Sequence, residues 1–172
     1  MPGPANDFLA KLPLVLAWIR QTLTAHAADA RSVASLRFPR LPRYFGPALL
    51  DSAHVVAVER LPVPPLSQMG LAQFAEMERF IYGGITYLDT FFVTSGEERN
   101  ESLHFHELIH VLQWRLLGPE RFLALYAAGL AQFGYRASPL EEMAYGAQNA
   151  FDQGIAFDAE KLVAEKLKAL QS

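Results

Sequence analysis

The chain has 172 residues, 51% of them apolar and 19% charged, which suits one domain with a sizeable core and excludes a largely disordered chain. Its net charge of −3 gives no reason to expect nucleic acid as a partner. It contains no cysteine, which excludes disulfides, thiolate metal sites and cysteine nucleophiles, so any metal must be held by histidine and carboxylate.

Residues 7–27 read as an amphipathic helix that packs on the domain or on a partner. They make a poor secretory leader, because Asp7 and Lys11 precede a short apolar run and Arg20 breaks the stretch beyond it. No run approaches the ~18 apolar residues of a membrane span. A cytoplasmic location is expected, with export left open. Residues 31–43, RSVASLRFPRLPR, carry four arginines and two prolines and read as an extended, exposed linker. The chain is thus expected to divide into an arm, 1–43, and a domain, 44–172. A basic stretch of this kind is either solvated or meets an acidic partner or lipid, which leaves peripheral membrane contact open.

A short helix is expected at 46–52 and a strand at 54–60, where HVVAVER is β-branched and ends at prolines. Leu71, Phe74 and Met77 give 71–82 a helical spacing. Residues 83–95 read as strand with a tight hairpin at Leu88-Asp89, Ile85, Tyr87, Phe91 and Val93 sharing a face if the alternation runs through the turn. The main helix is expected over 97–117, with Glu97, Glu98 and Glu101 near its positive end and Gly118-Pro119 ending it. Further helices are expected at 119–135, at 138–151 with Ser138 as N-cap and Glu141 at capping-box distance, and at 158–171 with a stripe of Leu162, Val163 and Leu167. The pattern is that of an α+β fold.

LHFHELIH, at 103–110, holds three of the five histidines. Its His106-Glu107-Leu108-Ile109-His110 has the form H-E-x-x-H. On a helix, residues four apart stand on one face, so both imidazoles can reach one metal ion. Glu107 lies about 100° round the helix, beside the metal, where it can hold a water. The bland alternative, two hydrogen-bonded core histidines and a glutamate, would place them in a buried helix at a desolvation cost. His104 is two residues from His106 and points elsewhere. Its role is left open among support of the site, substrate contact and plain surface.

A catalytic metal of this kind needs a third protein ligand and one open position. No histidine occurs after His110. The next carboxylates on a returning helix are Glu141 and Glu142, on a segment that an antiparallel turn brings back to the pair. Helix phase prevents both from facing the metal equally.

HELIHVLQW followed by SPLEEMAYGAQ resembles the gluzincin zinc metallopeptidases, and in particular their small stand-alone members, the minigluzincins. The resemblance implies a zincin-like fold, with a small sheet packed on the active-site helix and a helical subdomain after it. It implies Zn²⁺ held by His106, His110 and Glu141, with Glu107 as general base. It also implies that the strand within 83–95 borders the cleft and pairs with an extended peptide. The acid that such enzymes carry four residues after the third ligand is Tyr145 here, so another group or the tyrosine hydroxyl must orient a ligating histidine. Tyr126, Tyr135 and Tyr145 are candidates to donate a hydrogen bond to a developing oxyanion. Gln113 and Trp114 read as an amide near the site or on the surface, and as packing. The function implied is a zinc-dependent metallopeptidase acting on peptide or protein. The alternative is an inactive or latent zinc-binding module that serves as a structural or interaction domain.

Overall fold

Phe8, Leu12, Val15, Leu16 and Ile19 recur at helical spacing and are all buried, and they form the inner stripe of helix α1, Pro4–Ala25. The computed structural model describes residues 3–79 and 83–172. Pro13 sits within α1 on its exposed side, where the carbonyl it leaves unpaired can bond to water. After α1 come strand β1 (Arg31–Ser32), helix α2 (Pro47–Ser52) and strand β2 (His54–Val58). Strands β3 (Gly84–Tyr87) and β4 (Thr90–Thr94) follow, then helices α3 (Glu101–Leu117), α4 (Pro119–Phe133), α5 (Pro139–Asp152) and α6 (Ala159–Gln171). The architecture is α+β, and no helix among the described residues is long and apolar enough to cross a membrane.

The four strands form one mixed sheet in the order β1-β2-β4-β3. β2 runs parallel to β4, and β3 and β4 form an antiparallel hairpin. Leu88 and Asp89 make its two-residue turn, with Leu88 at φ 58°, a conformation that favours glycine. Tyr87 therefore opposes Thr90, and the alternation does not run through the turn as expected. Opposed residues of an antiparallel pair point to the same face. Ile85 and Tyr87 thus share a face with Phe92, while Phe91 and Val93 share the other with Gly84 and Thr86. Trp18 of α1 packs edge-on against Tyr87 on the first face, at 5.6 Å between ring centroids. Helix α3 covers the second, where Phe91 meets His104 at 5.4 Å.

Three other segments differ from expectation. Residues 31–43 are not an exposed linker. They supply β1 and bury Val33, Phe38 and Leu41, because their polar groups find partners on the helices. Glu101 accepts the backbone N–H groups of Arg40 and Leu41, at 2.7 and 2.9 Å. Arg40 bonds the Phe151 carbonyl and stacks over its ring. The main helix starts at Glu101 rather than 97, since Asn100 accepts the Leu103 N–H as N-cap. The segment expected as helix over 71–82 is a 3-10 helix over Ala72–Glu78, and the part at 80–82 lies outside the described residues. Leu71, Phe74 and Met77 recur every three residues, which is the 3-10 repeat.

Helix α3 is the central element, packing on β3, β4, α4, α5 and α6. Phe105 at its middle stacks on Phe151 of α5, with centroids 4.5 Å apart, and meets Tyr44 edge-on. Gly118, at φ 80°, ends α3, and Pro119 opens α4 in the next residue. That sharp return carries α4 back, and α5 then lies along α3.

Candidate metal centre

His106 and His110 stand one turn apart on α3 and are buried, at 4% and 5% exposure. Their Nε2 atoms lie 3.1 Å from each other. Glu141 reaches them from the first turn of α5, its Oε2 3.3 Å from each Nε2. Ser138, expected to cap this helix with its side chain, donates to the Tyr135 carbonyl instead. Glu141 is therefore free of capping duty and faces α3. Glu142, the competing carboxylate, is exposed.

The hydrogen-bond directions decide what this cluster is built for. His106 Nδ1 lies 2.9 Å from Gln148 Oε1, and His110 Nδ1 lies 2.8 Å from Gln113 Oε1. An amide oxygen only accepts, so each Nδ1 carries a proton and each Nε2 is left to face Glu141. The orientation of Gln113 is fixed, because its Nε2 donates to the Leu140 carbonyl at 2.9 Å. Glu141 Oε2 is buried and, among the described residues, the two histidine Nε2 atoms at 3.3 Å are the polar groups it faces. The three groups thus converge out of water, an arrangement that either a shared proton or a metal cation stabilises. Two nitrogens at ~2.0–2.1 Å from a tetrahedral ion sit ~3.3 Å apart, close to the separation found here. The group His106, His110 and Glu141 can hold a metal ion.

The charges respond accordingly. Burial opposes charging His110, but the Glu141 carboxylate outweighs it and pushes the pKa up to about 9. Burial works against the Glu141 carboxylate too, yet His110 and His106 hold its pKa well below the usual range. Tyr126 Oη donates to the remaining oxygen, Oε1, at 2.8 Å. A stack of Trp114, Phe122 and Tyr126 sets that ring in place, with centroid spacings of 4.0 and 5.6 Å.

Glu107 is buried on the flank of the cluster. Its Oε2 accepts from Thr86 Oγ1 of β3 at 2.6 Å. Burial raises its pKa, against the pull of His106 and His110. Its other oxygen packs on Gly84, where an added Cβ would lie only 2.7 Å from Oε1. Glycine at 84 thus provides the close approach between strand and carboxylate.

His104 does not join the cluster. It is fully buried between Phe38 and Phe91, with Nδ1 2.8 Å from the Asn100 carbonyl and Nε2 without a partner among the described residues. Desolvation lowers its pKa. Tyr145 lies against the His106 ring at 4.6 Å, and its hydroxyl meets that of Tyr135 at 3.3 Å. The residue that holds His106 through Nδ1 is Gln148, not Tyr145. Gln148 lies two helical turns beyond Glu141, so the spacing needed to find it was in the sequence. Thr86 and Gly84 carry no such signal, because only the sheet register brings them to Glu107.

A cavity of ≈ 90 Å³ opens on the cluster. Its walls include Phe8, Val15 and Ile19 of α1, Phe122, Leu123 and Leu130 of α4, and Ile85 of β3. Tyr135 lines it as well, and burial keeps its hydroxyl protonated by pushing the pKa far up. No protein-family model matches the chain, and no curated protein or solved structure matches it.

Proposed function

We propose that the chain is a zinc-dependent hydrolase of peptide bonds, built on a gluzincin-type site. The observation that carries this reading is the convergence of three side chains that could hold a metal ion beside a separate buried carboxylate. Two histidines and a glutamate, with a fourth position facing a cavity, are a donor set suited to catalytic zinc. The sheet against one side of α3, with α4–α6 following it in the chain, supports the zincin-like reading of the fold.

Zinc bound there supplies Lewis acidity, which acidifies water and polarises a carbonyl. The protein's part is positional. His106 and His110 are aimed by Gln148 and Gln113, and Glu141 is steadied by Tyr126. Glu107 accepts a proton from the attacking water and passes it to the departing amine nitrogen. The Thr86 hydroxyl holds one carboxylate oxygen, Oε2, in place. Glu107→Gln keeps shape and removes the base. Its zinc content and melting temperature should match wild type, while hydrolysis falls by about 10² or more. Equal hydrolysis by wild type and mutant would remove Glu107 from the mechanism.

The second reading, a zinc-holding module without hydrolysis, is favoured by one observation. Helix α1 contributes three side chains to the cavity wall, so the site is partly roofed by its own chain. A zinc-loaded protein that cleaves nothing, with or without α1 displaced, would put this reading first.

A further inference from the structure

The cavity over the cluster is lined mostly by apolar side chains. No Lys or Arg lines it among the described residues, and its acidic members are Glu107 and Glu141, both committed to the site. Its volume of ≈ 90 Å³ is several times the roughly 10–15 Å³ that a single water needs.

Two features limit longer substrates. Helix α1 packs along α4 and also reaches the sheet through Trp18 on Tyr87, so it bridges the two sides of the cleft. Edge strand β3 is only partly available for pairing. The Gly83 carbonyl accepts the Thr94 N–H, so by alternation Ile85 and Tyr87 face β4 while Gly84 and Thr86 face outward. The outward Thr86 carbonyl is already taken by Trp114 Nε1, at 3.2 Å. An extended peptide thus finds one acceptor of the strand ladder expected to hold it already occupied.

We infer that the substrate is a small, uncharged amide with apolar groups on both sides of the scissile bond, and that α1 sets its size limit. This inference rests on the hydrolase reading above. Water adds to the carbonyl carbon, the C–N bond breaks, and Glu107 carries a water proton to the amine, so the products are an acid and an amine. Away from the zinc itself, a charged terminus would meet apolar walls, which is costly. Capping the amide at both ends removes that penalty.

The test uses the zinc-loaded full chain and three substrates: N-acetyl-leucinamide, the zwitterionic dipeptide Ala-Leu, and casein. The expected kcat/KM for N-acetyl-leucinamide exceeds that for Ala-Leu, and that for casein per bond, by at least tenfold. Phe8→Ala and Val15→Ala, with zinc content and melting temperature checked first, should shift the ratio toward casein by several-fold. Should these variants fail to fold, the wild-type comparison still decides. Cleavage of casein or Ala-Leu as efficient as that of the capped amide, and lost in Glu107→Gln, would overturn this inference and leave the hydrolase reading standing. Cleavage of none of the three would overturn both.

Discussion

Gln148 Oε1 lies 2.9 Å from His106 Nδ1, and the two residues belong to different helices, α5 and α3. Helix α5 therefore supplies both Glu141, one of the three groups that could hold a metal, and the group that aims another. Holding the tautomer of His106 is what turns its Nε2 lone pair toward Glu141.

Gln148→Leu should lower zinc affinity by about 10- to 100-fold, the usual weight of such a supporting group. Gln148→Glu should keep or tighten binding, because Ser102 Oγ, now 3.0 Å from Gln148 Nε2, can turn and donate to the new carboxylate. Gln113→Glu should behave in the opposite way. Its second oxygen would face the Leu140 carbonyl, which the Gln113 amide now satisfies at 2.9 Å. Competition titration against a zinc indicator measures all three, and equal affinity in Gln148→Leu would show that the contact is incidental.

Gly84→Ala should destabilise the fold by about 1–3 kcal/mol, the range for overpacking a close contact. The added Cβ would meet Glu107 Oε1 at 2.7 Å. Zinc should still bind, since Gly84 touches none of the three ligands, and hydrolysis should fall because Glu107 is displaced. Denaturant unfolding and a rate assay on one preparation separate these effects. A variant as stable and active as wild type would mean the strand yields without moving Glu107.

Metal-free protein should lose stability as pH rises from about 6.5 to about 9. His110 has a folded pKa raised from 6.5 to about 9, so its contribution is complete below 6.5 and vanishes through the folded value. Glu141 acts in the other direction. Its folded pKa is lowered from 4.5, so its contribution is present above 4.5 and is lost as pH falls below that. The apo protein is therefore most favoured by this pair between about 4.5 and 6.5. Zinc takes the place of the shared proton, so its apparent affinity should rise with pH up to about 9. Urea unfolding across pH, with and without zinc, reads both trends, and an apo protein equally stable at pH 6 and pH 9 would contradict the coupling.

The sequence made α3 and its histidines legible because a four-residue spacing on a helix maps directly onto one face. Glu141 came from helix order and from the family pattern. Gln148 repeats the phase of Glu141 after seven residues, but the family pattern points to position 145 instead, so its role emerges only from the packed helices. Thr86 and Gly84 could not be read from local pattern, since their approach to Glu107 depends on the hairpin register. The arginines of 31–43 misled for a similar reason. Composition alone reads as solvated, while Arg40 in fact bonds the Phe151 carbonyl of a helix that lies far later in the chain.

Zinc content of the purified chain, prepared without contact with a metal affinity resin, tests the central claim most directly. Wild type and Glu142→Ala should each retain about one zinc per chain after dialysis against a weak chelator, as a buried three-ligand site requires. His106→Ala, His110→Ala and Glu141→Ala should each lose it. Full occupancy in any of these three variants, or none in wild type, would contradict the metal centre described here.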